Sequence, residues 1–544
     1  MKKKLLAVLL SAAAALGCAL ALTACGNHSH RFSAEEIQPT CTEQGYTLNT
    51  CACGESYKDN YVAALGHTEV TDSAVEATCT QSGLTEGKHC SVCGTVITEQ
   101  KTLPEKHVAE NGKCIYCGKA VTTAGLKYTL NGGGKSYCVS GIGTAADTAI
   151  TIPEEYEGLP VTAIGREAFG GCGNITSITI PASVTSIGLS AFYGCGKLTK
   201  VYTETTESWC GISFANYASN PLLYAHNLYI GGKLATDLVI PESVTSVGAH
   251  AFYGCYSLTS VTLHKDVISV GENAFSQCGN ISSLTIPYGV NYIGREAFRH
   301  CVGLESLTIP DSVIQIDNGA FSDCANITTV TVPDSVTAFG TQVFRECGSL
   351  ITADIGGGVE EIGEGTFFGC YNLTSVAIGG GVNTIGKWAF YGCGSLESIT
   401  IPEGVTSIGE RAFGDCGSLE SITIPDNVIS VGNYAFINCS NLTAVTIGGS
   451  VSTIGISVFG NCGNLTTLTI SGGATSIGTH AFYECYGLTT VYIPKSVTSV
   501  GEAAFKSCNN LTDVYYAGSS ADWSAVDIGD DNEKLTDAAI HCNG

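Results

Sequence analysis

Hydrophobic and polar positions repeat with a fixed period along most of this chain. Between Ile152 and Tyr515, one pattern close to I-P-x-S-V-T-S-I-G-x-x-A-F-x-x-C-x-x-L-T-S-V-T is written fourteen times. In one unit, apolar Leu258, Val261 and Leu263 are separated by polar residues, which predicts a short strand with its apolar side inward. A fixed period in the twenties is typical of a solenoid, in which successive units stack on one another.

The cysteine of the pattern measures the period. It recurs every 23 residues from Cys255 to Cys508, and Cys172 and Cys195 keep the same spacing. The 60 residues from Cys195 to Cys255 equal two periods plus 14, which predicts an insertion there. We expect all fourteen thiols to be free, buried and structural, because a buried thiol behaves as a small hydrophobic group.

A single unit cannot fold alone. About six buried apolar side chains supply about 10–15 kcal/mol, whereas ordering the backbone of 23 residues costs about 23–46 kcal/mol. The units must therefore share one continuous core. We expect Gly248 and its equivalents where the chain turns, and the Ala251-Phe252 pair on a turn or short helix.

The repeat resembles the BspA-type leucine-rich repeats of bacterial surface proteins. The resemblance rests on the period, the A-F-x-x-C core and the I-P-x-S-V-T-S-I-G segment, and it covers about 390 of 544 residues. It implies a mainly β leucine-rich-repeat solenoid. It also implies adhesion to host matrix proteins, other cells or glycans.

Two further segments look like companions of this family. Residues 131–152 resemble the strand pair that opens such solenoids, and the V-Y…W segment at 201–209 reappears at 514–523. A terminal unit of this kind would cover the last apolar face and its unpaired edge. The predicted boundaries are a signal peptide at 1–24, a tether at 25–29, cysteine- and histidine-rich modules at 30–119, an N-terminal β cap at 120–151, the solenoid at 152–515 with an insert near 203–239, and a C-terminal cap at 516–544.

The N-terminus predicts export. Three lysines precede an apolar stretch from Leu5 to Leu22, and small residues follow. Leu-Thr-Ala-Cys resembles a bacterial lipobox, which would make Cys25 the lipid-bearing first residue of the mature protein. The alternative is an uncleaved anchor helix, since 18 apolar residues almost span a bilayer. We favour the lipoprotein, anchored to the membrane by lipid and displayed on the cell surface.

The net charge of the chain limits the classes of molecule that it can bind. The formal charge is −24, and removal of Lys2, Lys3 and Lys4 makes it −27. Such acidity argues against nucleic acid or anionic lipid as the ligand. We expect a monomer that binds an extracellular protein or glycan.

Residues 30–119 carry a second repeat, built from cysteine and histidine. Spacing groups the candidate ligands into a first set of His30, Cys41, Cys51 and Cys53, a second of His67, Cys79, Cys90 and Cys93, and a shortened third of His107, Cys114 and Cys117. Three cysteines and one histidine form a common closed zinc shell, so we predict structural zinc. Metal would supply most of the folding energy of modules this small.

Three observations leave alternatives open for these modules. Eight cysteines in an exported segment also fit disulfides. The first set has Cys-x-Cys in place of Cys-x-x-Cys, and the third lacks an obvious fourth ligand. His89, beside Cys90, is an alternative to either proposed histidine ligand.

Catalytic signals are weak in this sequence. No nucleophile motif, phosphate-binding loop or HExxH is present. Glu397 and Glu420 lie one period apart, but stacked carboxylates on a threonine-rich face are more often a solvated surface than a catalytic pair. We therefore expect a protein without enzymatic activity.

Aromatic residues interrupt the polar variable positions beside the phenylalanine and cysteine columns. They are Tyr253, Tyr256, Phe368, Tyr371, Trp388, Tyr391, Tyr483 and Tyr486. Tyrosine and tryptophan make rigid contact surfaces, so these residues are the candidate binding track. Shielding of the core edge explains them equally well. The alternatives to a binding function are a structural envelope or spacer protein and an accessory carbohydrate-binding protein.

Overall fold

The computed structural model describes residues 29–107, 109–110, 113–114, 116–117 and 121–543. The chain divides into two compact units, a smaller N-terminal one and a larger one that contains the repeats. Signal peptide, lipobox and the lipidation site Cys25 lie outside the described residues. Within the described ranges, no helix is long and apolar enough to cross a membrane.

The N-terminal unit contains two small antiparallel sheets of three strands each. The first sheet consists of Phe32–Ile37, Gly45–Cys51 and Ser56–Val62, and the second of Glu69–Asp72, Gly87–Cys90 and Val96–Thr98. Gly83–Leu84 pairs antiparallel with Thr102–Leu103. Further along the chain, Ala109–Glu110 and Lys113–Cys114 form a separate two-stranded sheet. In each of the two sheets, the middle strand ends at a cysteine, Cys51 or Cys90.

The larger unit is a β-solenoid, as the sequence predicts, and its turns supply strands to two parallel columns; the turn at 303–309 has no strand in the first of them. The long-strand column contains the segment predicted from Leu258, Val261 and Leu263, all three of which are buried. Its strands are Ala149–Thr151, Ser177–Thr179, Lys200–Thr203, Leu228–Ile230, Asp237–Val239, Ser260–Thr262, Ser283–Thr285, Thr329–Val332, Thr352–Ile355, Ser375–Ile378, Ser398–Ile399, Ser421–Ile424, Ala444–Ile447, Thr467–Ile470, Thr490–Ile493, Asp513–Tyr516 and Ala539–Cys542.

The short-strand column lies about half a unit further along each turn. Its strands are Leu159–Ile164, Ser186–Ile187, Ser213–Phe214, Ser246–Val247, Ser269–Val270, Tyr292–Ile293, Gln315–Ile316, Ala338–Phe339, Glu361–Ile362, Thr384–Ile385, Ser407–Ile408, Ser430–Val431, Thr453–Ile454, Ser476–Ile477, Ser499–Val500 and Asp527–Ile528. Pairing is parallel and shifts by one period, as in Ser407 opposite Ser430. The backbone of each unit is thus hydrogen-bonded to the next one.

The core consists of continuous columns of identical side chains. From Phe252 to Phe505, successive phenylalanine rings stack with centroids 5.1–5.8 Å apart. The cysteines from Cys255 to Cys508 are fully buried in the same cluster. If one unit, or rung, of the solenoid were removed, its two neighbours would lose the contacts that these columns provide. The units therefore fold only as a stack.

The turns between the two columns use left-handed backbone at two positions of each unit, and glycine does not hold most of them. In one unit these positions are Gln342 (φ 56°) and Glu346 (φ 58°). The pattern glycine expected at the turn serves a different purpose. A Cβ on Gly271 would lie 2.7 Å from the amide nitrogen of Ala249, so this glycine permits close approach of the preceding rung.

The solenoid opens and closes with irregular elements. Lys127–Leu130 and Tyr137–Gly141 pair antiparallel, and the second strand joins the short-strand column through Leu159–Ile164, against which Glu155–Tyr156 also pairs. In the insert, Lys233–Leu234 turns back on Leu228–Ile230.

The insert and the C-terminal segment share a local structure. Each begins with a helix, Thr206–Cys210 or Ser520–Ser524, and both helices have a capping box at the N-terminus. A second helix follows in each, Leu222–Ala225 or Glu533–Thr536, and the insert has a 3₁₀ turn at Tyr217–Ser219. This similarity matches the recurrence of the V-Y…W segment in the sequence.

Candidate functional site

The cysteines and histidines of the N-terminal unit converge in three clusters. Within each cluster the ligand atoms all lie within 4.8 Å of one another. The clusters are Cys41, His67, Cys90 and Cys93; Cys79, His107, Cys114 and Cys117; and His30, Cys51 and Cys53. Each cluster contains two cysteines that are close in sequence, which we call its knuckle: Cys51 and Cys53, Cys90 and Cys93, or Cys114 and Cys117. A strand ends at the first cysteine of each knuckle, and the second cysteine lies in the following turn.

This grouping corrects the one inferred from spacing. Cys41 joins the ligands of the second set, and Cys79 joins those of the third. The cluster of His107 thereby has the fourth ligand that its set lacked in the sequence, and the cluster of His30 has three ligands among the described residues. His89 joins none of the three, because its Nδ1 lies 2.8 Å from a carboxylate oxygen of Asp72.

The distances within the clusters match a tetrahedral metal shell. The sulfur atoms of Cys41 and Cys90 are 3.7 Å apart, and two thiolates at about 2.3 Å from one tetrahedral ion would be about 3.8 Å apart. The Nδ1 atom of the histidine lies 3.4 Å from the second knuckle sulfur in all three clusters. Three cysteines and a histidine can bind zinc or another soft divalent ion.

All cysteines of the described chain are free thiols, including those of the clusters. The disulfide alternative for residues 30–119 therefore has no pair in this structure. In the cluster of His30, hydrogen bonds from the backbone and thiol of Cys53 and from His30 lower the pKa of Cys51 to about 6. Such a group is a thiolate near neutral pH, the form that binds metal.

The fourteen cysteines of the repeat pattern, which we call the cysteine ladder, are placed for packing rather than for chemistry. Burial raises the pKa of Cys324 and Cys439 to about 12, so both remain protonated at neutral pH. A protonated, inaccessible thiol is a poor nucleophile and a poor metal ligand. Of the three cysteines outside the ladder, Cys138, Cys210 and Cys542, each is partly buried and free.

The most varied surface of the solenoid lies beside the Ala-Phe pair and the cysteine of each unit, and we call these positions the turn face. The position before the Ala-Phe pair holds ten residue types in the twelve units from His250 to Ala503, whereas the phenylalanine never changes in those units. All eight predicted aromatic residues lie on this face. The structure places them in three groups, Tyr253 with Tyr256, Phe368 to Tyr391, and Tyr483 with Tyr486.

The middle group combines aromatic rings with cations. The Phe368 and Tyr391 rings stack 5.4 Å apart, and the Arg345 guanidinium lies 4.6 Å from the Phe368 centroid. The Lys387 ammonium lies 4.2 Å from the Trp388 ring. Tyr371 is 57% exposed. Arg345 pairs with Glu346 at 3.6 Å and Lys387 with Glu410 at 3.3 Å, so this group presents aromatic surface and ion-paired side chains to solvent.

In the other two aromatic groups, some rings shield the core and others are exposed to solvent. Tyr253 is only 8% exposed and packs against Tyr217 of the insert, 5.4 Å between centroids, which fits the core-shielding interpretation. Tyr256 stacks on His226 at 4.3 Å and keeps an exposed edge. Tyr483 contacts His480 edge to face, and Tyr486 is exposed.

A polar groove of about 630 Å³ adjoins the insert on the turn face. Its walls include Tyr217, His250, Glu272, Arg295 and Arg299. Burial lowers the pKa of His250, and its Nδ1 is buried without a hydrogen-bond partner. Arg299 donates to Asp323 at 3.0 Å, and Arg295 faces Glu272 at 4.0 Å. The groove therefore offers both hydrogen-bond donors and acceptors to a polar ligand.

An aromatic cluster at the C-terminal end of the repeats was not predicted from the sequence. Tyr492 and Tyr515 stack 5.0 Å apart on the outer side of the long-strand column, and His541 stacks on Tyr515 at 4.6 Å. A shallow cavity of about 620 Å³ lies beside them. The signal was available, since Tyr492 and Tyr515 are one period apart where most units have threonine.

Comparison with known proteins identifies the repeat. Residues 147–220, 226–351, 291–420 and 383–512 match the family described as BspA type leucine rich repeat region. No curated protein matches the chain.

Three solved structures illustrate the similarity. A leucine-rich cell surface protein from Faecalibacterium prausnitzii is 28% identical, with 75% of this chain and 97% of that one covered and a TM-score of 0.41. A leucine-rich repeat protein from Bacteroides ovatus is 24% identical, with coverages of 73% and 99% and a TM-score of 0.48. The pneumococcal vaccine antigen PcpA is 17% identical, with coverages of 78% and 98% and a TM-score of 0.40.

Proposed function

The chain belongs to the BspA-type leucine-rich-repeat family, and from that membership we propose that it is an exported surface lipoprotein whose solenoid binds other macromolecules. The ligand class is an extracellular protein or a glycan of the host or of neighbouring cells. The solenoid acts in this proposal as a binding surface and not as an enzyme.

The observation that carries the proposal is the contrast between two sets of positions in the same units. Core positions repeat one residue, while the turn face carries ten residue types at a single position. Exposed Tyr371 and the cation-bearing ring pairs at Arg345 and Lys387 lie on this varied face. Aromatic and arginine side chains are the residues on which binding energy concentrates at protein interfaces.

Binding is tested with the full chain on immobilised matrix proteins, on whole bacterial cells and on a glycan array. Where a ligand binds, Tyr371→Ala and Trp388→Ala should each weaken binding by at least about thirtyfold, because a central anchor contributes about 2 kcal/mol or more. Thr423→Ala, on the outer side of the long-strand column, is the matched control and should leave affinity unchanged. Failure of the chain to bind any of the three probes would favour the spacer function.

Lipid anchoring is the second part of the proposal, and its support comes from the sequence Leu22-Thr23-Ala24-Cys25. Two or more acyl chains give stable membrane attachment. The Cys25→Ser variant should accumulate as a precursor without lipid and should leave the membrane fraction. Unchanged mass and unchanged membrane retention of the variant would refute the lipoprotein assignment.

We also infer that the cysteine and histidine clusters hold zinc as a structural ion. Two clusters offer four ligands each, so a bound ion would have no open position for a substrate. The unit would then serve as a metal-stabilised stalk between anchor and solenoid. A full chain purified without oxygen should contain at least about two zinc ions, and a chelator should unfold the N-terminal unit while the solenoid keeps its β-sheet circular dichroism.

A further inference from the structure

The clusters of the N-terminal unit draw ligands from successive modules. Cys41 lies between the first and second strands of the first sheet, whereas Cys90 ends the middle strand of the second sheet and Cys93 lies in the turn that follows it. Cys79 lies between the first and second strands of the second sheet and meets Cys114 and Cys117 of the next knuckle. We propose that each four-ligand site binds a zinc ion shared by two modules, so that the metal links the modules in series. This inference rests on the proposed structural zinc.

Sulfur positions support the sharing at the first link. Cys41 and Cys90 are 49 residues apart in sequence, yet their sulfur atoms are 3.7 Å apart and both residues are buried. The fourth ligand atom, Nδ1 of His67, lies 3.4 Å from the Cys93 sulfur. These two distances match two edges of a tetrahedral shell, all four ligand atoms lie within 4.8 Å of one another, and every ligand is a type that zinc accepts.

Backbone hydrogen bonds give support that is independent of the side chains. The amide of Gly66 donates to the carbonyl of Cys41 at 3.1 Å, and the amide of Leu65 donates to Thr40 at 3.0 Å. These bonds hold the loop of Cys41 against the segment that leads into His67. At the second link, the amide of Lys106 donates to the carbonyl of Thr78, one residue before Cys79, at 3.1 Å.

The two links thus repeat one arrangement. In each, the backbone just before the histidine ligand contacts the loop that carries the cysteine of the preceding module. Cys41 precedes His67 by 26 residues and Cys79 precedes His107 by 28, so sequence spacing repeats along with the contact. Binding of a shared ion costs the chain the conformational entropy of closing a long loop, but it fixes one module to the next. An ion bound within a single module would not link two modules.

The proposal is tested by alkylation of the zinc-loaded full chain with a thiol reagent, followed by mass spectrometry of each cysteine. In a Cys93→Ser variant, the shared-site arrangement predicts that Cys41 and Cys90 react at least about tenfold faster than in the unmodified protein, because their ion is lost. Cys79 should remain protected in that variant. A set confined to one module predicts the opposite, with Cys79 exposed and Cys41 protected.

Metal counts of paired variants supply a second measurement that does not depend on reagent access. Cys41→Ser combined with Cys93→Ser should lose no more zinc than Cys93→Ser alone, because both residues serve one ion. The control pair, Cys79→Ser with Cys93→Ser, should lose two ions. The reversed pattern of losses would overturn the sharing while leaving structural zinc intact. No zinc in the unmodified chain, with its cysteines paired as disulfides, would overturn both.

Discussion

The thiol of Cys370 donates a hydrogen bond to the carbonyl oxygen of Phe344 in the preceding unit, with 3.2 Å between sulfur and oxygen. The same bond recurs at 3.1–3.4 Å for twelve cysteines of the ladder. The accepting carbonyl also receives the amide of Cys347 of its own unit. The cysteine is therefore both a packing group and a polar link between rungs.

Replacement of this cysteine should destabilise the neighbouring rungs by a modest amount. Cys370→Ala removes a buried sulfur and its hydrogen bond, but the Phe344 carbonyl keeps the Cys347 amide, so we expect a loss of about 1–2 kcal/mol. Cys370→Ser should cost about 1–3 kcal/mol, because its shorter C–O bond places a polar hydroxyl further from that carbonyl. Hydrogen exchange of the adjacent rungs measures both losses.

Cys172 provides the control for this prediction. It belongs to the first unit, where the strand pair at 127–141 precedes it in place of a phenylalanine rung, and it is only partly buried. Cys172→Ala should therefore cost less than Cys370→Ala. Equal losses, or a ladder found mostly oxidised by thiol titration of the unfolded chain, would contradict the role assigned to the thiol.

Alkaline pH should unfold the solenoid through its cysteines. Burial raises the pKa of Cys324 from 9.0 to about 12, and the unfolded thiol ionises near the ordinary value. Stability is therefore complete below about pH 9 and falls as the pH rises toward 12, since the unfolded state loses a proton that the folded state retains. Each such thiol contributes up to about 1.4 kcal/mol per pH unit. Free energies of unfolding measured in urea between pH 8 and 11 should fall less steeply with pH for Cys324→Ala than for the unmodified chain.

Much of the fold could be predicted from the sequence because the solenoid is one structural unit repeated with the same period as the sequence. The 23-residue spacing of Cys255 and its successors fixes both strand columns, and the alternation around Val261 fixes the inward side. The thiol hydrogen bond was not predictable, because the spacing does not tell which carbonyl faces a buried sulfur. The left-handed residues were also hidden, because Gln342 and Glu346 are not residue types that mark a positive φ.

The candidate sites were only partly predictable. Ligand types and knuckles at Cys90 and Cys93 could be read directly, whereas spacing alone placed Cys41 with the wrong partners. Which loop packs on which is decided by contacts such as the Gly66 to Cys41 hydrogen bond, and those are not local in sequence. The shortage of ligands in the third set, with Cys79 lying 28 residues before His107, was the available clue.

The left-handed turn position gives a test of backbone strain. Gln342 has φ 56° and its equivalent in the next unit, Gly365, has φ 61°. Gln342→Gly relieves the strain of a side chain in this region but adds freedom to the unfolded chain, so we expect a change within about 1 kcal/mol. Gln342→Val should be less stable than the glycine variant by about 2 kcal/mol, because a β-branched residue is disfavoured at positive φ. Similar thermal midpoints for the two variants would contradict the strained turn.

The pattern glycine should be far less tolerant of substitution than the glycine after the cysteine. A Cβ on Gly409 would lie 2.5 Å from the carbonyl carbon of Gly386 and 2.5 Å from the amide nitrogen of Lys387, both backbone atoms of the preceding rung. Gly409→Ala must therefore push two rungs apart and strain the bond from its amide to the Ile385 carbonyl, now 2.8 Å, at a cost of about 2–3 kcal/mol. Gly394 has no atom within 4 Å of its Cβ position and lacks a positive φ, so Gly394→Ala should be neutral or stabilising by up to about 1 kcal/mol.

Hydrogen exchange should show the loss of stability for Gly409→Ala within residues 363–432 and little beyond them, because each unit contacts only its neighbours. Uniform destabilisation of the whole solenoid, or equal effects of the two alanine variants, would refute close rung approach as the reason for this glycine.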